Sequence, residues 1–226
     1  MKTFVIGDTH GCFNEFERLL GKIKPNLNMD RLILLGDYID RGNKSYELVQ
    51  ALMKMQADYG SEKVVLLRGN HEQMAIDYYA KGDNCYLYNG GESTIRSFEQ
   101  NNDYLENYLE VFRQMPIYIE DEHYVFVHAG VKPSLGLAVQ NEQDMLWIRE
   151  EFFNYPNTLG KTVIFGHTPT TYFRNECRPV KIYNNIALDT GCVYGGRLSA
   201  LEISDGFVKK IHQTKGSHSY EYQIAI

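Results

Sequence analysis

Polar residues that can bind a metal ion follow five separate apolar segments of this sequence. The segments lead into GDTHG at 7–11, GDYIDRG at 36–42, LRGNHE at 67–72, HAG at 128–130 and GHT at 166–168. Each segment is short and apolar, as buried β-strands are. Because ligands of α/β sheets bind beyond the carboxyl ends of the strands, we expect these five ends to converge on one site.

The order of the apolar segments predicts an α/β fold. In the first third of the chain they alternate with segments of helical period, which predicts parallel strands joined by helices, the first helix capped by Asn14. Short strands fill the last quarter, where Asp205-Gly206 is typical of a tight hairpin turn. We therefore expect two packed sheets with helices outside, an α/β/β/α sandwich. No repeat or Pro- or Ser-rich linker divides the sequence, so residues 1–226 are expected to form a single domain.

The candidate metal ligands form a mixed set of oxygen and nitrogen donors. They are Asp8, His10, Asp37, Asn70, His128 and His167. Carboxylate, amide and imidazole ligands suit manganese, iron or zinc, and a set without cysteine is unlike a structural zinc site. Two such ions roughly 3.5–4 Å apart can clamp a phosphate ester and activate water near neutral pH. Any one motif alone would more often be a turn or a helix start, but five in this order favour a two-metal phosphoesterase.

The motifs resemble those of the PPP family of metal-dependent serine/threonine phosphatases, within the calcineurin-like metallophosphoesterases. The family pattern GDxHG, GDYVDRG, LRGNHE, HAG and a later histidine is matched by the segments above, from Gly7 to His167. The resemblance implies the calcineurin-like fold and two divalent metal ions, manganese first and iron or zinc as alternatives. It assigns one ion to Asp8, His10 and Asp37, with Asp37 bridging both ions. It assigns the other ion to Asn70, His128 and His167.

The same resemblance implies further roles. His71 is the general acid that protonates the leaving alkoxide, and Asp40 holds it in place. Arg41 and Arg149 bind the substrate phosphate. The match to the family at Arg149 rests on that one residue, and the alternative interpretation is a solvent-exposed arginine on a helix. The implied reaction is in-line attack on phosphorus by a hydroxide that bridges the metals, while the arginines stabilise charge on the equatorial oxygens. The expected substrate is a phosphoserine or phosphothreonine protein or phosphopeptide.

Two other functions remain open at this point. A diadenosine tetraphosphate hydrolase would share the fold, the metals and most motifs, although Asp40 in GDYIDRG favours the protein phosphatase. A non-catalytic phosphoprotein-binding module on the same fold is an alternative of another class. Decay to such a module should have removed a ligand or the general acid, and none is missing. Pro169 follows GHT where many enzymes of the wider superfamily carry another histidine, which favours the PPP branch.

Composition narrows the expected partners and compartment. The formal net charge is −6, which argues against a nucleic-acid partner, because such partners select basic surfaces. The four cysteines are scattered without a CxxC pair, as expected for free thiols in a reducing cytosol. No apolar run approaches the roughly 18 residues of a membrane helix. We therefore expect a cytoplasmic monomer with neither a membrane nor a nucleic-acid partner.

Overall fold

The computed structural model describes residues 1–216, and strands and α-helices alternate in the first third of this part of the chain. The strands are β1 (Thr3–Ile6), β2 (Arg31–Leu34), β3 (Val64–Leu66), β4 (Tyr118–Glu120), β5 (Tyr124–Val127), β6 (Thr162–Phe165), β7 (Val180–Ile182), β8 (Asn185–Ala187), β9 (Arg197–Ser204) and β10 (Phe207–Lys215). The α-helices are α1 (Phe13–Ile23), α2 (Ser45–Tyr59), α3 (Asn70–Lys81), α4 (Glu92–Gln100), α5 (Leu109–Gln114), α6 (Glu142–Trp147) and α7 (Glu150–Phe153). Within this part of the chain, no helix is both long and apolar enough to cross a membrane.

The strands form two five-stranded sheets. The first sheet has the order β10-β9-β1-β2-β3, and the second has the order β4-β5-β6-β8-β7. In the first sheet β1, β2 and β3 are parallel, as the alternation of strands and helices predicts, whereas β9 runs antiparallel to β1. In the second sheet β5, β6 and β8 are parallel, and the edge strands β4 and β7 run antiparallel to their neighbours.

Alternating side chains of the strands build the layers. In β1, Phe4 and Ile6 belong to the core that the first sheet shares with its helices, whereas Val5 belongs to the core between the two sheets. In β5, Phe126 lies in the core between the sheets and Val125 packs toward α6 and α7. Because both faces of these strands are covered, their buried residues are all apolar. The predicted α/β/β/α sandwich is confirmed.

Two local predictions, a hairpin turn and a helix cap, have different outcomes. The Asp205-Gly206 hairpin is confirmed, with left-handed φ values of 53° and 73°. The predicted cap of α1 is wrong, because Cys12 precedes the helix and Asn14 lies inside its first turn. The Asn14 side chain instead accepts a hydrogen bond from Lys44 Nζ (2.9 Å), so it is occupied by a contact between α1 and the start of α2.

Candidate metal centre

The loops that follow β1, β2, β3, β5 and β6 meet at one buried site. Donor atoms of His10, Asp37 and His71 all lie within 4.8 Å of one another, and the same holds for Asp37, His128 and His167. Asp37 belongs to both groups. Its Oδ2 lies 3.5 Å from His10 Nε2, and its Oδ1 lies 3.4 Å from His128 Nε2. One carboxylate is thus placed to reach two ions, as expected of a bridging ligand.

Asn70 and Asp8 lie beside these groups. Asn70 Oδ1 is 2.8 Å from His128 Nε2 and 2.9 Å from His167 Nδ1. Asp8 Oδ2 accepts the backbone N–H of His167 (2.9 Å), whereas Asp8 Oδ1 is buried and finds no hydrogen-bond partner within residues 1–216. A buried carboxylate oxygen without a donor is costly unless a cation neutralises it. This oxygen therefore fits a metal ligand.

The imidazoles of His10 and His128 are oriented through their Nδ1 atoms. His10 Nδ1 lies 2.9 Å from the carbonyl oxygen of Ile39, and His128 Nδ1 lies 2.9 Å from that of Leu35. Donation to these carbonyls leaves the Nε2 lone pair of each ring for a metal ion. Burial lowers the pKa of both imidazoles, that of His128 to about 4, so these rings are neutral at pH 7.

The carboxyl groups of the site are as deeply buried as the imidazoles. Burial raises the pKa of Asp37 to about 7, and the positive charges of Arg41 and Arg149 oppose this rise. Burial also raises the pKa of Asp8 well above its usual range, with a further contribution from the charge of Asp189. Divalent ions would stabilise the ionised carboxylates and reverse these shifts. The donor set therefore fits two divalent ions in charge as well as in geometry.

The backbone around the site is unusual. Left-handed φ values of 42°, 54°, 72°, 70° and 60° occur at His10, Asp37, Asp40, Arg41 and His167. Such conformations cost on the order of 1–3 kcal/mol for each non-glycine residue and persist where the surrounding contacts fix them. The backbone at Gly166 passes very close to the Asp8 carboxylate, since a Cβ atom at Gly166 would lie 2.0 Å from Asp8 Oδ1.

Glu72 joins the loop after β2 to the start of α3. Its carboxylate accepts the backbone N–H groups of Asp37 (2.9 Å), Tyr38 (2.8 Å) and Gly69 (2.9 Å). The N–H of His71 in turn donates to Asp37 Oδ1 (3.1 Å). Burial raises the pKa of Glu72 to about 7, although the bonds from Tyr38 and Gly69 favour its ionised form. The sequence pattern includes Glu72 but gives no indication of this supporting role.

The Asp40–His71 pair lies next to Asp37. Asp40 Oδ2 is 2.6 Å from His71 Nδ1, and His71 Nε2 is 3.9 Å from Asp37 Oδ2. Thr94 holds the other side of Asp40, because its hydroxyl accepts the Asp40 N–H (2.7 Å) and donates to Asp40 Oδ1 (2.8 Å). Burial raises the pKa of Asp40 and lowers that of His71, since both charged forms lose hydration. Thr94 lies 54 positions from Asp40 in the chain, and no sequence signal indicated it.

The two candidate phosphate-binding arginines lie beside the site. Arg41 Nη1 is 2.5 Å from His10 Nε2, so a metal ion at His10 would displace this guanidinium. The Arg41 guanidinium also lies 5.5 Å from the centre of the Tyr194 ring. Arg149 is largely exposed at the junction of α6 and α7, and its Nη1 donates to Thr168 Oγ1 (3.3 Å). Arg149 therefore contacts the loop that carries His167. It lies between α6 and α7 rather than within a helix.

Asp189 is a buried acidic residue to which the sequence motifs assigned no role in the centre. It comes two residues after β8, so it follows a strand end as the candidate ligands do. Its charge helps to raise the pKa of Asp8, and its Oδ1 accepts the N–H of Gly191 (2.9 Å). Within the described chain it joins neither group of converging donor atoms, so its contact with the centre is electrostatic.

Comparisons with known proteins identify the family. The calcineurin-like phosphoesterase family model matches residues 1–195. The chain is 26% identical to bis(5′-nucleosyl)-tetraphosphatase PrpE (asymmetrical) of Bacillus cereus (strain Q1), over 89% of this chain and 90% of that protein. It is 30% identical to serine/threonine-protein phosphatase 1 of Salmonella typhimurium, over 88% of this chain and 91% of that protein. The crystal structure of a protein proposed to be a diadenosine tetraphosphatase matches with a TM-score of 0.72 at 23% identity, covering 96% of this chain and 94% of that one. The chain therefore belongs to the calcineurin-like phosphoesterase family and is a hydrolase of the metallophosphoesterase superfamily.

Proposed function

We propose that this hydrolase removes phosphate from phosphoserine and phosphothreonine residues of proteins. The observation that carries the proposal is the buried Asp40–His71 pair, with 2.6 Å between Oδ2 and Nδ1. An alkoxide is a strongly basic leaving group, and it departs readily only when an acid protonates it in the transition state. A histidine held in one orientation by a buried carboxylate can supply that proton when both of its nitrogens are protonated. Burial in the metal-free site disfavours this form of His71, and an ionised Asp40 favours it. The 30% identity to a bacterial serine/threonine-protein phosphatase supports the same function.

A binuclear divalent metal centre is characteristic of the family, and the converging donors fit one. The proposed ligands are Asp8, His10 and Asp37 for one ion and Asn70, His128 and His167 for the other. We propose manganese, and these ligand types also suit iron and zinc. When bound, the ions supply an activated water molecule and positive charge beside the phosphoryl oxygens.

The side chains around the centre position the phosphate and the proton. The guanidinium groups of Arg41 and Arg149 bind phosphoryl oxygens, since their planar fork makes parallel hydrogen bonds to phosphate. His71 gives the proton on Nε2 to the leaving oxygen while its Nδ1–H stays bonded to Asp40. Thr94 occupies Oδ1 of Asp40, so that Oδ2 alone faces His71.

Hydrolysis of a dinucleoside polyphosphate is the second candidate function. The 26% identity to a bis(5′-nucleosyl)-tetraphosphatase extends over 89% of this chain, as far as the match to the protein phosphatase does. A phosphate leaving group is far less basic than an alkoxide, so this reaction depends less on protonation by His71. The ordered Asp40–His71 pair therefore favours the phosphoprotein substrate.

A comparison of three substrates tests the proposal. The manganese-loaded protein is assayed on a phosphoserine peptide, on p-nitrophenyl phosphate and on diadenosine tetraphosphate, beside His71→Asn and Asp40→Asn. We expect the peptide to be preferred and its kcat/KM to fall by about 10²–10⁴-fold in His71→Asn, which is the usual contribution of a general acid. On p-nitrophenyl phosphate, whose leaving group needs no proton, the expected loss is about tenfold or less.

Two results would redirect the assignment. A preference for diadenosine tetraphosphate that His71→Asn barely changes would make dinucleoside polyphosphate hydrolysis the function. Binding of the phosphopeptide to the metal-loaded protein, without turnover of any of the three substrates, would instead indicate a phosphoprotein-binding module.

A further inference from the structure

A cavity of about 550 Å³, here called the cationic cavity, lies where the edges of the two sheets come together. Its charged lining consists of Arg178, Arg197, Lys215 and Glu176. Arg178 comes two residues before β7, the edge strand of the second sheet, and Lys215 ends β10, the edge strand of the first sheet. Gln213 of β10 links the two edges, because its side chain donates a hydrogen bond to the carbonyl oxygen of Cys177 (2.9 Å), the residue before Arg178.

Acidic side chains of residues 1–216 do not balance the positive charge in this cavity. Three cations face one carboxylate there, although the whole chain carries a net charge of −6. Arg197 and Lys215 are directly opposite each other in the pairing of β9 with β10, and like charges in such positions repel. Within residues 1–216, none of the three cations forms an ion pair with an acidic side chain. An anionic ligand would relieve this repulsion.

The cationic cavity is close to the proposed phosphate-binding residues. Tyr194, whose ring lies 5.5 Å from the Arg41 guanidinium, is followed directly by Gly195 and Gly196, which line the cavity. Two residues of chain span about 7 Å at most. The loop is held in place here, because the N–H of Gly196 donates to the carbonyl oxygen of Gly191 (2.9 Å) and the carbonyl oxygen of Gly196 accepts the N–H of Gly216 (2.8 Å). A substrate with its phosphate at Arg41 can therefore extend into the cavity.

We propose that the cationic cavity binds acidic side chains that flank the phosphorylated residue of a protein substrate. This inference rests on the proposed phosphoprotein phosphatase function and adds a sequence preference to it. The three cations stand on separate segments around an open cleft, which suits several separate carboxylates better than one compact phosphate group. The lining residues lie in loops and at strand ends, so no helix N-terminus is aimed into the cavity to hold a phosphate. An extended peptide advances about 3.4 Å per residue, so it can span the distance from Arg41 to the cavity within several residues of the phosphoserine.

Matched phosphopeptides test the proposal. One phosphoserine peptide carries Asp and Glu at the flanking positions, and its partner carries Asn and Gln instead. We compare kcat/KM for both peptides between the wild type, the triple variant Arg178→Gln, Arg197→Gln, Lys215→Gln, and the control Lys210→Gln. Lys210 is an exposed cation of β10 that does not line the cavity. Thermal unfolding of each variant checks that it is folded.

The expected result is a preference of about tenfold for the acidic peptide in the wild type. Each exposed ion pair is worth roughly 1.4- to 5-fold, and three act together here. The preference should approach one in the triple variant, persist in Lys210→Gln, and shrink in the wild type as salt is added. A ratio near one in the wild type, or an unchanged ratio in the triple variant, would overturn the proposal.

Two further measurements separate this proposal from the assignment of function. The triple variant could lose turnover of diadenosine tetraphosphate selectively, with its preference for the acidic peptide unchanged. This result would show that the cavity binds a polyphosphate and would overturn the proposal that acidic peptide side chains occupy it. If no phosphopeptide is hydrolysed, the proposed function fails. The cavity is then tested by fluorescence anisotropy with a labelled, unphosphorylated acidic peptide: binding to the wild type but not to the triple variant supports the site, and equal or absent binding rejects it.

Discussion

The two sheets contribute to the candidate metal centre in different ways. The first sheet carries Asp8, His10, Asp37 and Asn70 on loops that bond directly to one another. The N–H of His10 donates to the Asp37 carbonyl (2.8 Å), and the N–H of Asp37 donates to Glu72 (2.9 Å). The loop after β2 and the start of α3 therefore hold their shape through bonds within the first-sheet side.

The second sheet supplies His128 and His167, and these histidines depend on the first sheet for their positions. His128 Nδ1 bonds to the carbonyl of Leu35 (2.9 Å), and the N–H of His167 donates to Asp8 (2.9 Å). The first-sheet side is thus self-supporting, whereas the second-sheet side is oriented across the interface between the sheets. Changes on the first-sheet side should therefore affect both ions, and changes on the second-sheet side should affect one ion or the substrate.

The largest expected effect comes from Asp37→Asn, because Asp37 is the residue that both donor groups share. Loss of its charge should weaken binding of both ions and lower kcat on p-nitrophenyl phosphate by about 10³-fold or more, since the metals contribute several kcal/mol of transition-state stabilisation. His128→Asn, on the second-sheet side, should lose one ion and keep the other. Metal content measured by mass spectrometry, with activity, checks both variants. Two ions retained at unchanged affinity in Asp37→Asn would contradict the shared-ligand assignment.

The next effect concerns stability. Glu72→Gln replaces a carboxylate that accepts four backbone N–H groups, the fourth from Ile39 (3.4 Å), with an amide whose own N–H₂ group faces some of those donors. Hydrogen bonds to charged groups contribute roughly 1.5–3 kcal/mol each, so we expect the free energy of unfolding to fall by about 3 kcal/mol. Thr168→Val removes only the contact with Arg149 on the second-sheet side and should cost less than about 1 kcal/mol. Urea unfolding of both variants without metal provides the measurement, and similar costs would remove the contrast between the two sides.

A third prediction concerns how metal binding depends on pH. It distinguishes control by the carboxylates of the first-sheet side from control by the imidazoles of the second-sheet side. Burial raises the pKa of Asp37 to about 7, so a metal ion must displace a proton from it below pH 7. Burial lowers the pKa of His128 to about 4, so this ring is already neutral above pH 5 and releases none. Manganese affinity should therefore fall at least tenfold per pH unit below pH 7.

The raised pKa of Asp37 has the opposite effect on the stability of the metal-free protein, which falls as the pH rises. Its folded state binds this proton more tightly than the unfolded chain does, so the stabilising contribution of Asp37 is full below about pH 4 and is lost as the pH rises to about 7. Calorimetric titration of manganese from pH 5.5 to 8.5, with thermal unfolding in chelator as the control, measures both trends. An affinity that stays constant from pH 8.5 down to pH 5.5 would assign control to the imidazoles instead, since the pKa of His128 is about 4.

Much of the first-sheet side was predictable from the sequence because its signals are local. A short apolar run followed by Gly-Asp or Asn-His is read within one loop, and the family resemblance based on these motifs is confirmed. Asp189 follows a strand end in the same way, so this signal, applied more widely, would have included it. Thr94 gave no such signal, since its contact with Asp40 depends on how residues 82–91 bring α4 back to the site.

Pairing between distant strands was the other feature that the sequence did not indicate. The Asp205-Gly206 signal predicted β9 and β10 as a hairpin, but the place of β9 beside β1 rests on contacts such as Thr3 with Ile203, about 200 positions apart. Alternating apolar residues show that a strand has a buried face without identifying its neighbour. β7 gives a weak strand signal, because Val180–Ile182 is only three residues long and one of them, Lys181, is exposed.

The smallest expected effect is that of Arg149→Gln, on the second-sheet side. Arg149 is exposed and donates a hydrogen bond to Thr168 (3.3 Å), whereas Arg41 lies against His10 at the buried site. Loss of one exposed phosphate contact should raise KM for a phosphopeptide about tenfold and lower kcat by a smaller factor, because water can replace part of the lost interaction. Arg41→Gln, the matched change on the first-sheet side, should lower kcat more than it raises KM. Steady-state kinetics of both variants measures the split, and equal losses of kcat would mean that Arg149 also stabilises the transition state and that the two sides share this task.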